Sequence, residues 1–341
     1  SILPGALASS AFGWSNTASD ENASAFGYVN EASGLASSAL GFRNKAANEN
    51  ASAVGYGNNA GGVASSAFGF SNVAKVDYAS AFGYSNEASG LASSAVGFRN
   101  KAASENASAV GYGNNANALA ASAVGYNNTA GGVGSSTIGY NNTATNENAS
   151  AFGYGNTAGG LASSAFGFSN TASGDNANAF GYNNIASGSK SNVFGTGNTV
   201  SGSSSTAVGT ANEVAAENST AIGNNNTISS GAENSAALGN NISISLKDSL
   251  ALGNNSTATA INSVTGNSSY TKWAGVSDVV GVVSVGSSGA TRQIQNVAAG
   301  QVSATSTDAV NGSQLYEVAQ KAAEQATVSA GDSNVVVTPT T

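Results

Sequence analysis

Ala11-Phe12-Gly13-Trp14 returns as Ala25-Phe26-Gly27-Tyr28, as Ala39-Leu40-Gly41-Phe42 and as Ala53-Val54-Gly55-Tyr56. The glycine recurs every 14 residues as far as Gly223, then after one spacing of 16 at Gly239, and after 14 more at Gly253. All 18 of these glycines follow Phe, Val, Ile or Leu. Two residues before the glycine is Ala in 16 copies, the exceptions being Thr137 and Val193, and three after it is Asn in 16. A fixed period sustained from Gly13 to Gly253 specifies a solenoid, in which each coil buries its face only against its neighbours.

A helical repeat needs about 30 residues or more, because two helices must pack. Fourteen residues suffice for two short strands joined by tight turns, so residues 1–260 read as an all-β solenoid head. Coils stacking at about 4.8 Å give a rod on the order of 80 Å long. Ser-Ala-Phe-Gly-Tyr is the strand, with Gly-Asn-Asn-Ala and Ala-Ser-Gly-Leu supplying positive-φ turn residues. The large residue before each glycine is expected to fill the core: Phe12, Phe26, Leu40, Val54, Phe68, Phe82, Val96 and Val110 begin that series. So thin a coil cannot be stable alone, and the repeat predicts oligomerisation as strongly as it predicts the fold.

Three further ladders follow from the period. The residue after the glycine is aromatic in the first thirteen coils (Trp14, Tyr28, Phe42, Tyr56, Phe70, Tyr84, Phe98, Tyr112, Tyr126, Tyr140, Tyr154, Phe168, Tyr182) and polar from Thr196 onward. That stripe is either a ligand-binding face or packing that seals the roll or the subunit contact. The asparagines at Asn16, Asn30, Asn44 and their successors bind sugars or order water on one reading, and satisfy turn backbone groups on the other. The turn before the strand alternates between Gly34-Leu35-Ala36-Ser37 and Asn48-Glu49-Asn50-Ala51 types. One acidic turn in two coils holds like charges roughly 10 Å apart, about a Debye length; duplication of a two-coil unit explains the same pattern. Repetition of Gly-Phe-Arg-Asn-Lys-Ala-Ala at 41–47 and 97–103 shows a four-coil duplication as well.

Composition narrows the chemistry. Only 8% of residues are charged, the net charge is −8, and the ten Lys and Arg are scattered, which argues against a nucleic-acid partner. There is no Cys and no His, so Ser-His-Asp or Cys-His catalysis, disulfides and thiolate or imidazole metal sites are excluded. A calcium-binding Gly-Gly-x-Gly-x-Asp coil is not present, and no carboxylate cluster departs from the repeat; no enzyme, metal or cofactor is expected. No signal peptide and no run of 18 apolar residues is visible. The chain begins inside a repeat and reads as a piece of a longer protein whose export signal and membrane anchor lie elsewhere.

After Gly253 the pattern decays through Asn262-Ser263-Val264-Thr265-Gly266 and an irregular Tyr270-Thr271-Lys272-Trp273, and Val282-Val283-Ser284-Val285-Gly286 looks like one last strand, so 261–290 is a transition. Thr291-Arg292-Gln293-Ile294-Gln295-Asn296-Val297-Ala298-Ala299-Gly300 and Thr307-Asp308-Ala309-Val310-Asn311-Gly312-Ser313-Gln314-Leu315 follow. These two stretches, with repeats such as Asn22-Ala23-Ser24-Ala25-Phe26-Gly27, resemble the neck and head of the YadA-like trimeric autotransporter adhesins over roughly 1–320. The resemblance implies a left-handed parallel β-roll, an obligate homotrimer and a neck that leads onto a coiled coil. It assigns Arg292, Ile294, Asn296, Val297, Asp308, Val310 and Leu315 to the neck. Arg292 either pairs with Asp308, within or between chains, or is a solvated surface arginine. Ser306, Thr307 or Asp308 is expected to cap the helix, and Leu315, Val318, Ala322 and Gln325 form a short heptad seam within 291–326. Residues 327–341 read as the start of a further β-rich module.

The function expected is that of a bacterial surface adhesin head, exported across the outer membrane, which attaches to matrix protein, host cells, other bacteria or abiotic surfaces. A structural spacer displaying another adhesive module is the alternative. An ice- or crystal-binding solenoid fits less well, for want of a regular Thr-x-Thr face.

Overall fold

The structure, a computed structural model, describes residues 7–262, 274–275 and 278–328. The expected decayed coil from Ser263, the Tyr270–Trp273 insertion and all but the first two residues of the 327–341 module lie outside them. Each coil has one long and one short strand: Ser24–Tyr28 then Glu31–Ala32, Ser38–Phe42 then Lys45–Ala46, and so on through 18 coils to Thr257–Ala258. The strands pair in parallel and in register with the next coil, Ser24 with Ser38, Phe26 with Leu40 and Tyr28 with Phe42. The result is the expected parallel β-solenoid with 14-residue coils. Within the 261–290 stretch Val283–Ser284 pairs with Leu250 and Ala251, the last strand read from the sequence.

Two left-handed corners per coil reverse the chain, for example Val29 (φ 56) after the long strand and Ala36 (φ 54) before the next. Asn and Gly take many of these corners, as αL sterics favour. The periodic glycine serves a different need. Gly125 sits at φ +117, and a Cβ there would lie 2.1 Å from the Gly139 carbonyl oxygen in the next coil. No side chain fits between coils at that point.

The core corrects the sequence reading. Phe12 is 75% exposed, Leu40 48% and Phe82 37%; Phe26 and Val96 are also exposed, and Val54, Phe68 and Val110 are only half-buried in the chain. None of the eight fills the roll. Neighbours in a strand face opposite ways, and the space between a five-residue and a two-residue strand is narrow. Alanine therefore takes the inward position: Ala25 and Ala32 are fully buried, as are Ala23 and Ser37 at the turn and Asn30 at the corner. Toward the neck the interior accepts larger residues, with Val193, Val200, Val214, Ile228, Ile242 and Ile244 all buried.

Among the described residues a single helix, α1, spans Gly312–Val328. Its cap is Asn311, not Ser306, Thr307 or Asp308. The Asn311 Oδ1 accepts from the Gln314 backbone N–H at 3.2 Å, and the Gln314 Oε1 accepts from the Asn311 N–H at 3.2 Å, a reciprocal capping box.

Gly125→Ala should lower stability by about 3 kcal/mol or more per chain, from backbone strain and the clash with the next coil. Gly113 sits at φ +64, and a Cβ there would meet nothing nearer than Asn127 Oδ1 at 3.7 Å. Gly113→Asn should therefore be tolerated with little change, since Asn accepts a left-handed corner. Equal losses in chemical denaturation of the two variants would refute the distinction.

Candidate functional site

Asn30 shows how the coil positions its surface. Its Nδ2 donates to the Phe26 carbonyl of its own coil at 2.9 Å and to the Gly41 carbonyl of the next at 2.7 Å. Its Nδ2 and backbone N–H both reach Asn16 Oδ1 at 2.9 Å. The pattern repeats through Asn226, and the sixteen ladder asparagines are all buried. This ladder is internal, so of the two sequence readings it satisfies backbone groups and touches no ligand.

With the interior so filled, both large ladders of the long strand lie outside. The post-glycine rings form one continuous stack from Tyr28 to Tyr182. Neighbouring centroids are 4.9 Å apart at Tyr28–Phe42, 4.7 Å at Tyr112–Tyr126 and 5.2 Å at Phe168–Tyr182, with planes within 13° of parallel. The expected ladder residues Tyr28, Tyr56, Tyr84, Tyr112, Tyr126, Tyr140, Tyr154 and Tyr182 are brought together in it; Trp14 is in register with Tyr28 at its open end. Each ring remains partly exposed, Tyr126 by 41%. The pre-glycine residues make a second ladder beside it, with Phe stacks at Phe68–Phe82 and from Phe152 to Phe194.

A further ladder, at the turn six residues before each glycine, is only half legible in the sequence. Glu21, Leu35, Glu49, Val63, Asp77, Leu91, Glu105 and Leu119 occupy it in successive coils. The acidic members stand out as charge spacing; the apolar ones between them, such as Leu91 at 44% exposed, carry equal weight. The alternation also has a steric side. A Cβ on Gly62 would lie 2.0 Å from the Val76 carbonyl carbon, so the glycine turn nests on the acidic turn that follows. Asp77 completes the fit by accepting the Val63 N–H on Oδ1 at 2.8 Å.

The opposite, short-strand face is polar apart from Val73 and Ile185. It carries the ion pairs Lys45–Glu31 at 3.3 Å and Lys101–Glu87 at 3.8 Å, both half-exposed and each worth under about 1 kcal/mol.

In the neck, Arg292 is exposed and does not pair with Asp308 within the chain; its guanidinium is held by other groups. Its Nη1 donates to Ser256 Oγ at 3.2 Å and to the Val285 carbonyl at 2.8 Å, and Nη2 donates to the Asn254 carbonyl. Ser256 stands at the ladder-asparagine position of the last coil, so the guanidinium caps the end of the solenoid. Asp308 instead accepts the Gln301 N–H at 2.9 Å. Asn311 Nδ2 donates to the Val297 carbonyl at 3.0 Å, and Gln314 Nε2 to the Gly300 carbonyl at 2.7 Å, tying the incoming chain to the start of α1. Asn296 turns the chain at φ 64. Ile294, Val310, Leu315 and Val318 are all at least 60% exposed in the single chain. Sequence reasoning places Asn311 and Gln314 in the neck stretch but misses their capping role, although the Asn-x-x-Gln spacing before Leu315 signals a capping box. Among the described residues no group of three His, Cys, Asp or Glu is placed to hold a metal, and no helix is long and apolar enough to cross a membrane.

Comparison with known proteins agrees with this geometry. The family described as the YadA head domain repeat matches residues 6–29, 32–58, 60–86, 88–114, 130–156, 158–184, 201–226 and 247–264. The coiled stalk of trimeric autotransporter adhesins matches 293–337. The chain belongs to the YadA-like trimeric autotransporter adhesins. It is 52% identical over 65 residues to the autotransporter adhesin BtaE of Brucella suis biovar 1, covering 19% of this chain and 9% of that protein. Among solved structures it is similar to the C-terminal YadA-like domain of BPSL2063 from Burkholderia pseudomallei (27% identity, 42% of this chain, 60% of that one, TM-score 0.26). It is also similar to the collagen-binding domain of the Yersinia adhesin YadA (23% identity, 68% and 84%, TM-score 0.24).

Asn128→Ala should cost about 3 kcal/mol or more per chain, because two donors of Asn142 and two carbonyls lose buried partners. Asn128→Asp should cost more, since it sets a carboxylate oxygen against those carbonyls. Near-native melting of Asn128→Asp would contradict this account. Arg292→Ala should fray the last coil first: amide exchange at Thr257 and Leu250 should accelerate while that at Ser122 does not.

Proposed function

We propose that this chain is the head and neck of a homotrimeric fibre on a bacterial surface, with a non-enzymatic, adhesive role. The observation that carries the assembly is the pre-glycine ladder. It is Phe, Val, Ile or Leu in all 18 coils, yet Phe26, Leu40, Ile138, Phe194 and Leu238 are 38–51% exposed in the single chain. A continuous apolar seam of that length needs a partner along its whole extent. The post-glycine ladder turns polar at Thr196 and so cannot be the seam throughout. The long-strand face therefore lies toward the threefold axis, and the polar short-strand face points outward. The neck's exposed Ile294, Val310, Leu315 and Val318 continue the seam into a three-helix coiled coil.

Family membership supports export to the cell surface and anchoring through another part of the protein. Adhesion then rests on the outward faces, presented three times over at a regular spacing. Weak contacts there gain by avidity, on the order of 10²–10⁴. The repeated surface holds few charges, so binding should change little with salt.

Sedimentation equilibrium should give three times the 33.0 kDa chain mass; a stable folded monomer would refute the trimer. Phe82→Asp should dissociate or unfold it, whereas Thr157→Asp on the short strand should not. Immobilised collagen and other matrix proteins, epithelial cells and polystyrene are suitable binding probes. Binding is expected for the whole fragment, with little loss at high salt, and to weaken in a trimer that begins near Thr196. Full retention by the shortened trimer would move the site to the polar coils or neck. No binding by either trimer would make the fragment a spacer.

A further inference from the structure

We infer that the two ends of the long strand are complementary edges, and that the occupant of each is the other edge of a second copy of this chain. The inference rests on the trimeric reading above and deepens it. Three rolls set with their long strands toward a threefold axis run head to tail around it at every level. The C-terminal end of one strand then meets the N-terminal end of the next, a cyclic heterologous contact. The C-terminal end bears the stacked aromatic ladder and the corner residues Arg43 and Arg99; the N-terminal end bears the alternating acidic and apolar turn residues.

Three observations favour this match. The first is shared extent. Leu or Val occurs at the turn position in coils that carry an aromatic ring, from Leu35 to Leu161, while the coils from Thr196 onward have Ser189, Ser203, Glu217, Glu233 and Lys247 there. Both apolar ladders stop together, as two halves of one contact must. The second is charge. The coil of Arg43 is flanked by those of Glu21 and Glu49, and the coil of Arg99 by those of Asp77 and Glu105. Neither arginine has a carboxylate partner among the described residues of its own chain; each lies over its neighbouring ring, Phe42 at 5.2 Å and Phe98 at 5.1 Å. The lysines of the same coils are paired on the short strand instead. The third is strain. Both arginines occupy αL corners, at φ 53, where most other coils use Gly, Asn or Ser and two use Val29 and Ala211. A long cation is retained in a conformation that disfavours it.

On this reading each arginine reaches the neighbour's acidic turns one coil above and below, and fixes the vertical register of three otherwise repetitive rods. A uniform ladder alone would allow slippage by whole coils, as flat repetitive strands do. The aromatic stripe is then subunit packing and not the ligand face.

Cysteine cross-linking tests the contact, since the chain has no Cys of its own. Leu119→Cys is combined with Tyr126→Cys in one double variant and with Tyr112→Cys in another, because the coil pitch sets the partner level to within one coil. Leu119 and Tyr126 stand at opposite ends of one strand, beyond the roughly 7 Å Cα limit of an intrachain disulfide. A covalent trimer on a non-reducing gel is expected from at least one double variant and from no single variant. Trimers by sedimentation without such cross-links would overturn this inference and leave the trimer standing; monomers would overturn both. A second set covers failure of the cysteine variants to fold. Arg99→Glu should lower the melting temperature of the trimer by several degrees, and adding Asp77→Lys with Glu105→Lys should restore it. Absence of rescue would sink the register role.

Discussion

Everything in this molecule hangs on a buried column of side-chain amides. A 14-residue coil leaves an interior too narrow for a conventional hydrophobic core, and it is lined mostly by alanine. Coil-to-coil cohesion therefore comes from hydrogen bonding as much as from apolar burial. The ladder asparagine meets carbonyls of two coils and the amide of a third. The net gain per bond is modest, about 1 kcal/mol, but the cost of leaving any one of these buried groups unpaired is larger. Glycine and asparagine are parts of one device: the Asn44 Nδ2 lies 3.1 Å from where a Cβ on Gly41 would be. A side chain on the glycine would displace the amide as well as the neighbouring coil.

Filling the interior with alanine and asparagine forces the large residues outward. The chain then carries two apolar ladders on one face, exposed along the length of the roll in the single chain. Ring spacing is inherited from strand spacing, so the stack forms without any ring choosing its partner. The same trade runs in reverse near the neck. From Val193 to Ile244 the interior takes larger side chains, and over the same coils the outer aromatic ladder gives way to Thr196, Thr210 and Asn224. Apolar bulk thus moves from the outer face of the roll to its interior toward the neck.

The period, the two strands per coil, the parallel stacking and the demand for partners are all legible in the sequence, because a strict spacing admits few architectures. The direction of the side chains is not. Ala25-Phe26 fixes alternation but not its sense, and the expectation that the larger residue points inward fails when the enclosed space is small. The apolar and acidic turn residues look like separate patterns, since they alternate from Glu21 to Leu119 and only the stacked coils show them as one edge. In the neck, charge suggests Arg292 with Asp308, whereas the arginine is drawn to carbonyls at the open end of the solenoid. Three candidate caps precede the true one, Asn311, which is identified by its reciprocal bond to Gln314.

A ladder of this kind needs an ending, and the sequence between Asn226 and Arg292 supplies it in steps. Asn226 Oδ1 accepts the Ile242 backbone N–H at 3.0 Å, but Ile242 has no side-chain amide to pass the chain of bonds onward. The glycine of that coil, Gly239, opens to φ 143, and Gly253 closes to φ 90, where the periodic glycines from Gly111 to Gly181 lie between 117 and 121. The kink thus relaxes as soon as the amide that held it is gone. Ser256 is too short to bridge coils and bonds back to the Leu252 carbonyl at 2.6 Å. Arg292 then approaches Gly253 as the asparagines approach their glycines, its Cζ 3.0 Å from the site of a Cβ. It brings several donors to one end of the column, as a fixed planar group can. The neck begins with the residue that closes the head, so the change from roll to coiled coil is placed by the same hydrogen-bond column that builds the roll.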